Sequence, residues 1–355
     1  MARRNRTQKN AGTATRLACI AAAPSTLTLS TTYFIIINFF SSMKSFTPSE
    51  LSPRELHKIF LSGVAPRPIA LVGTLDTRGN ANLSPFSFFN AFSSNPPVVA
   101  FGPAHRATDG TLKDTYSNLM ATGECTISSV THSMVEQSNL SSCLYPPGVD
   151  EFAKAGFTKR KSVDVKPPSV MESPFVMECR LVQMIDLAPE VNGSGNMAIC
   201  RVVRFHLSGS IFTGDVIDPQ KIDLVGRMGL AWYSRASGDA LFELPQPRVN
   251  GIGIDSLPDH IRKSPILTGN DLAKLAGVEK KPARNTEFTK FDNSMQAEDF
   301  SLELNSGNAF GALYALLTGV PPPPEKLQEK LHKVAQVFLA HGKVEEAWQT
   351  LLLPL

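Results

Sequence analysis

The sequence is short of cysteine, histidine and tryptophan, with five, seven and two among 355 residues. The cysteines (Cys19, Cys125, Cys143, Cys179, Cys200) are odd in number, widely spaced and form no Cys-x-x-Cys pair. That excludes a disulfide scaffold and suits free, mostly buried thiols in a reducing compartment. No His-x-x-x-His or Cys/His cluster occurs, so no metal site is expected. A Gly-rich nucleotide fingerprint and a Walker loop are also missing. Gly251 and Gly253 lack a third glycine and read as a turn. No internal repeat is evident. Mainly apolar stretches are short, eight residues at 33–40, whereas a membrane-spanning helix needs about twenty.

Acid is missing from one place. Residues 1–49 carry six basic side chains (Arg3, Arg4, Arg6, Lys9, Arg16, Lys44) and no Asp or Glu. The whole chain is at +3, but the remainder has 29 basic against 32 acidic residues. A mildly acidic body argues against a general nucleic-acid binder, which needs a basic face on its folded part. Residues 1–48 read as a basic leader. They suit an organellar transit peptide, or an extension ahead of a true start at Met43; a secretory signal around residues 17–23 is a weaker fit. Location follows from that choice: cytoplasmic, or mitochondrial or otherwise organellar if residues 1–42 are a genuine transit peptide.

What is present is a globular composition, 42% hydrophobic and 19% charged, with its punctuation concentrated between residues 51 and 247. Ser52-Pro53-Arg54-Glu55 is a capping box with proline at the first helical position, predicting a short helix to about Ser62 with Gly63 as its stop. Residues 68–75 read as a buried strand, 76–79 as a tight turn and 80–92 as a second strand. Strands follow at 97–101 and 124–130. Two long alternating segments, 175–187 and 197–207, are joined through Asn192-Gly193 as a hairpin. Strands at this density, with few short helices between them, predict a closed, mainly β barrel. Residues 248–324 read as a polar arm ending in the proline block 321–324. Residues 325–351 read as one amphipathic helix, its stripe formed by Leu327, Leu331, Val334, Phe338, His341 and Val344.

Two stretches carry chemistry. In Asn82-Leu83-Ser84-Pro85-Phe86-Ser87-Phe88-Phe89-Asn90, Pro85 cannot donate to a sheet ladder, so the strand must bulge or lie at an edge. A diverted edge beside aromatic rings suits a planar heterocycle; the alternative is an aromatic core strand with a kink. Asn82-Leu83-Ser84 is also formally a glycosylation sequon. In Thr111-Leu112-Lys113-Asp114-Thr115-Tyr116-Ser117-Asn118, Thr111 and Asp114 form a cap-like pair, predicting a helix to Gly123. Its N-terminus, with Lys113 and the Thr115 hydroxyl, suits a phosphate; the alternative is a solvated first turn. His105 and His132 lie near these stretches and read as surface or packing residues.

Taken in order, Pro66-Arg67-Pro68-Ile69, Thr74-Leu75-Asp76 with Gly79, the Asn82–Asn90 segment, Ser94-Asn95-Pro96-Pro97 and Lys113-Asp114-Thr115 with Asn118 resemble the flavin-reductase-like family, of the flavoredoxin type. Pro146-Pro147-Gly148-Val149-Asp150-Glu151-Phe152, Ser173-Pro174, Glu178-Cys179-Arg180-Leu181 and Arg227-Met228-Gly229 with Tyr233 extend the resemblance. The ordered blocks cover a little over half of the chain. The resemblance implies an FMN-binding split β-barrel of Greek-key type, with a helical extension at its C-terminus, usually homodimeric with flavin near the subunit interface. It implies that Pro68, Asn82, Leu83, Ser84, Pro85, Phe86 and Ser87 line the isoalloxazine ring. Arg67, Lys113, Thr115, Ser87 and Asn90, with Asp114 and Asn118, are then candidates for the phosphate and ribityl groups, and Arg227 and Tyr233 for closing the pocket. The chain departs from the commoner pattern at Leu71-Val72-Gly73, where a Trp and a small polar residue are frequent, and in the insertion-like residues 102–109.

The activity so implied is NAD(P)H-dependent reduction of flavin, with hydride passing to flavin N5 and no dedicated catalytic acid or base. Other readings are a non-enzymatic electron carrier or sensor, a reductase component delivering reduced flavin to a partner monooxygenase, and an oxidase of the pyridoxamine-phosphate type on the same barrel.

Overall fold

The computed structural model describes residues 43–354 except 106–109, 147, 189–194, 245, 247–249, 293–295 and 297–298. Residues 1–42 of the expected leader and the Asn192-Gly193 turn lie outside the described residues. The chain divides into two compact units, Met1–Leu241 and Phe242–Leu355.

The first unit opens with the predicted capping box. The Ser52 hydroxyl accepts the Glu55 amide at 3.3 Å, and the Glu55 carboxylate accepts the Ser52 amide at 2.9 Å. Together they start helix α1 (Pro53–Gly63). Strand β1 (Ala70–Leu75) turns into β2 (Ala81–Phe86) around Asp76, whose carboxylate accepts the amides of Arg78 and Asn80, both at 2.8 Å. The strand expected over 80–92 is two strands. It breaks at Ser87-Phe88, and β3 (Phe89–Ser94) pairs with β4 (Pro97–Phe101) instead of β1. Strands β5 (Glu124–Ser129), β6 (Phe175–Asp186) and β7 (Asn196–Leu207) complete an antiparallel sheet in the order β2-β1-β5-β6-β7-β4-β3. Helices α2 (Asp114–Thr122), α3 (Val135–Leu140) and α4 (Glu151–Ala155) lie in its connections.

The break at Ser87-Phe88 makes this sheet a barrel. The strands at its two ends, β2 and β3, are consecutive in the chain and only two residues apart, so the sheet must curl until its ends meet. This is the split β-barrel. Pro85 lies on the edge strand β2, opposite Leu71 of β1, as its missing amide requires.

Period-two alternation gives the barrel two apolar layers. Ala70 and Val72 point to one side with Phe86, Phe101, Ile127 and Met177; Ile69 and Leu71 point to the other with Leu83, Phe152 and Val225. At Gly73 a Cβ would stand 2.5 Å from the Pro168 carbonyl oxygen and 2.6 Å from Thr126 Oγ1, so the wall closes too tightly there for any larger residue. Cys125, Cys179 and Cys200 lie wholly inside the barrel, and Cys143 is exposed. Contact between thiols, reinforced by burial, pushes Cys125 and Cys200 up and keeps them protonated.

The second unit departs from the polar arm expected over 248–324. It builds its own apolar core from α5 (Gly269–Ala276), α6 (Phe300–Asn305), α7 (Ala309–Thr318), α8 (Pro324–Ala340) and α9 (Val344–Leu351). The single helix expected over 325–351 is α8 and α9, separated where Gly342 takes a left-handed φ of +73°. Leu331, Val334 and Phe338 of the expected stripe are buried in this core, Leu327 and Val344 pack against it, and His341 is exposed. Trp348 is fully buried and donates its indole N–H to the Leu275 carbonyl at 3.1 Å. Among the described residues no helix is long and apolar enough to cross a membrane.

Candidate functional site

The site is built on the outer edge of β2. Leu83 donates its amide to a Glu151 carboxylate oxygen at 3.0 Å, so Leu83 faces away from β1. By the two-residue alternation of a strand, Pro85 turns the same way, and its missing amide falls on that free edge. Burial pushes the Glu151 carboxyl above its ordinary range, although the Leu83 amide partly offsets this. One of the main-chain donors expected to face a ring is therefore already engaged within the chain.

Behind this edge is a buried polar knot. The Asn82 amide donates to Thr115 Oγ1 at 3.0 Å and to Thr74 Oγ1 at 3.4 Å, and the Asn118 amide donates to Thr74 Oγ1 at 3.0 Å. It ties the first turns of α2 to β1 and β2. Asn82, Thr115 and Asn118 thus act as fasteners, and a buried Asn82 is no glycan acceptor in the folded chain. Helix α2 starts at Asp114, with Lys113 at its N-cap and no side-chain cap bond. The start expected at Thr111 falls three residues early. Lys113 holds its ammonium 5.0 Å from the centre of the Phe86 ring. Phe86 itself packs into the barrel core, 5.3 Å from Phe101.

Arg67 is almost completely buried. Its guanidinium donates to the carbonyls of Leu61 and Val64, both at 2.6 Å, to the Met228 carbonyl at 3.1 Å and to Ser87 Oγ at 3.4 Å. Its main chain exchanges two hydrogen bonds with Arg227, at 3.0 and 2.8 Å. Arg67 therefore holds together the end of α1, the β2–β3 break and the Arg227 strand, and its donors are spent on neutral oxygens instead of a phosphate. Burial, and then Arg227, hold its pKa below the ordinary value. Arg227 stacks on Tyr233, 4.5 Å from the ring centre.

Three cavities with shared walls run along this edge. The first, about 170 Å³, is bordered by Asp76, Asn80, Asn118 and Glu151. The second, about 40 Å³, is bordered by Asn82, Leu83, Ser84, Lys113, Asp114 and Thr115. The third, about 180 Å³, lies between Pro85, Ser87, Arg227 and Tyr233. Glu151 borders the first two and Ser142 the last two. Pro68 and Asn90 fall on a separate, apolar cavity beyond Ser87, and Asn90 is exposed with its Oδ1 accepting the Ala91 amide at 2.8 Å.

The opposite wall is the end of α3, with Ser138 and Asn139, and the loop after it, with Ser142 and Tyr145. None of these was singled out from the sequence, because a six-residue helix running into a serine-rich loop shows no periodicity to mark it. Glu151 stood inside a recognised block, and its position at the start of a helix was the available signal.

Across the second and third cavities the donor set fits a flavin mononucleotide. One end has a lysine at a helix N-terminus, which suits a phosphate. Ser84 and Ser142 supply hydroxyls in the middle, and the far end has a bare strand edge facing a stacked Arg–Tyr pair.

Residues 62–235 match the family model described as the flavin reductase like domain. An uncharacterized protein of Aquifex aeolicus is 32% identical over 194 residues, covering 55% of this chain and 96% of its own. The crystal structure of nitrilotriacetate monooxygenase component B from Bacillus cereus is 29% identical. It covers 57% of this chain and all of its own, with a TM-score of 0.54. The 2-nitrobenzoate 2-nitroreductase of Pseudomonas fluorescens, 22% identical with a TM-score of 0.52, covers 59% of this chain and all of its own, and shares the fold.

Proposed function

Because this chain belongs to the flavin reductase like family, we propose that it binds FMN along the β2 edge and works as an NAD(P)H-dependent flavin reductase. The observation that supports this most is the order of chemistries along one edge, from Lys113 at the α2 N-terminus to Arg227 stacked on Tyr233. Bound flavin would supply the two-electron chemistry, and the protein position and electrostatics.

In this reading Lys113 and the first turn of α2 hold the phosphate, while Ser84 and Ser142 offer hydroxyls to the ribityl chain. Asn82, Thr115 and Asn118 keep α2 at a fixed distance from the strand edge. Arg227 and Tyr233 cover the ring end, where positive charge favours an electron-rich ring. Arg67 acts through others, fixing Ser87 and the Arg227 strand. No side chain has to act as acid or base. The working unit in this proposal is a homodimer. A second reading, in which reduced flavin is passed to a partner monooxygenase, is favoured by the similarity to a protein named as a monooxygenase component.

Anaerobic titration of the FMN-loaded chain with NADH and with NADPH tests the proposal. Bleaching of the flavin absorbance is expected with at least one. Flavin that stays oxidised with both removes the reductase reading and leaves a flavin-binding carrier. A chain that takes up no flavin removes both.

A further inference from the structure

The helical unit carries a cavity of its own, about 510 Å³, within the range of small-molecule sites, roughly 300–1,000 Å³. One wall is the short helix Asp259–Arg262 and the turn after it, which contribute Asp259, Lys263 and Ile266. The other wall is α8. There Glu325, Gln328, Glu329 and His332 recur three and four residues apart, so they share one face of the helix.

His332 is the buried end of that face. It is 3% exposed, and a helical side chain leans over the turn N-terminal to its own Cα, here the turn of Gln328 and Glu329. Ser264 Oγ accepts the amides of Ile266 and Leu267, both at 3.1 Å, which fills its two acceptor positions. Its proton therefore goes to His332 Nδ1 at 2.7 Å. Nδ1 is then an acceptor, and in a neutral imidazole the other nitrogen, Nε2, carries the hydrogen. Burial, and then His260, lower the His332 pKa and favour that neutral ring. Nε2 has no hydrogen-bond partner among the described residues, and it is not sealed from solvent. A ring otherwise buried thus turns one fixed N–H donor towards the cavity it lines.

The N-terminal end of the same face has the opposite chemistry. Asp259 and Glu329 are paired with Lys263 and Lys333, but Glu325 is exposed and has no partner among the described residues. Asp259, Glu325 and Glu329 line the cavity against Lys263 alone, so it disfavours an anion. Among the described residues no group of His, Cys, Asp and Glu could hold a metal ion. We infer that this cavity binds a small organic cation, an amine with an uncharged carbonyl at its far end. The carbonyl accepts from His332 Nε2 and the ammonium meets Glu325. Seven residues of helix separate the two, a rise of about 10 Å, which suits a para-substituted benzene ring with a hydrogen bond at each end. The binding does not depend on flavin, so it is tested on the flavin-free full chain.

The probe is 4-(aminomethyl)benzamide; benzylamine, which lacks the carbonyl, and 4-methylbenzamide, which lacks the charge, are its controls. Calorimetry should show one probe bound per chain, about fivefold tighter than benzylamine for the one hydrogen bond. It should also bind about threefold tighter than 4-methylbenzamide for the one exposed ion pair. His332→Phe should bind the probe and benzylamine alike. Glu325→Gln, a change at an exposed side chain, should lose the preference over 4-methylbenzamide and keep that over benzylamine; it decides the matter if His332→Phe does not fold. Equal affinity of the wild-type chain for probe and benzylamine overturns the inference. So does a carbonyl preference that survives in His332→Phe, or a charge preference that survives in Glu325→Gln. Failure of all three compounds to bind also overturns it, since Nε2–H then faces water only.

Discussion

The two units of this chain bury polar side chains for different ends. In the barrel, Asn82, Thr115, Asn118 and Glu151 are buried directly behind cavities, and each fixes a wall of the β2 edge. In the helical unit the buried polar groups close turns and helix ends. Ser264 Oγ accepts the amides of Ile266 and Leu267, both at 3.1 Å, and its one proton goes to Nδ1 of His332 at 2.7 Å. Gln349 joins α9 to residues 283 and 285, accepting from the Asn285 amide at 2.7 Å and donating to the Ala283 carbonyl at 2.9 Å. The helical unit does have a cavity, about 510 Å³, but carboxylates on its wall already face cations of their own unit. Asp259 meets Lys263 at 2.8 Å and Glu329 meets Lys333 at 2.6 Å. This cavity is larger than those along the β2 edge, but Asp259 and Glu329 on its wall are paired within the helical unit. The β2 edge instead sets the Ser84 and Ser142 hydroxyls beside a lysine at a helix N-terminus.

The largest expected effect lies in the helical unit. Trp348→Ala removes a fully buried side chain and its bond to Leu275, which should cost about 3–5 kcal/mol of that unit's stability. FMN binding by the barrel should be unchanged within a factor of two or so, since a side chain buried in a separate core adds nothing to the β2 edge. Calorimetric unfolding and flavin titration of the same sample check both halves. Loss of flavin binding would show that the two units work as one.

The converse change is smaller in energy and falls on function. Lys113→Ala should weaken FMN binding about 10- to 100-fold, the worth of a charge-assisted hydrogen bond of roughly 1.5–3 kcal/mol. It should leave the unfolding temperature nearly unchanged. Riboflavin, which lacks the phosphate, should bind both proteins alike, and a parallel loss for riboflavin would contradict the role given to Lys113.

Acid should separate the units by a smaller margin. Burial, and then His260, lower the His332 pKa below the usual 6.5. The unfolded chain therefore takes up that proton first, and stability is lost as the pH falls below about 6.5. In the barrel, burial alone would raise Glu178. His206 Nε2 at 2.6 Å and the amides of Val163, Asp164 and Val165 at 2.8, 2.6 and 3.1 Å outweigh it and hold Glu178 below the usual 4.5. Its contribution is present above that value and lost only below it. Hydrogen exchange after equilibration at each pH should show α8 and α9 weakening before residues 163–165. His332→Gln should flatten the first phase, and simultaneous loss in both units would refute the assignment.

Local chemistry was readable in the sequence where a feature involves neighbours in the chain. The Ser52–Glu55 box starts α1, Gly63 ends it and Pro85 lies on an edge strand. Features made by distant partners were not readable. The break at Ser87-Phe88 exists because β2 and β3 pair at opposite ends of the sheet, and nothing between residues 80 and 92 states this. Arg67 reads as a phosphate ligand until Leu61, Val64 and Met228 are seen around it. The helical unit was taken for a polar arm because most of the buried apolar residues of 248–324 fall in two short helices. These are Leu275 and Ala276 in α5 and Ala309, Ala312, Leu313 and Leu316 in α7, separated by long polar connections. The order of blocks along residues 51–247 was informative for the opposite reason, since a family pattern carries long-range information that local periodicity lacks.

The central claim is that the β2 edge, with Lys113 at one end and Arg227 on Tyr233 at the other, is a flavin site. Titrating the purified full chain into FMN while following flavin fluorescence tests it most directly. The account predicts a saturable change at one FMN per chain, weakened by Lys113→Ala and untouched by Trp348→Ala. Unchanged flavin fluorescence in the presence of a folded wild-type chain would contradict it.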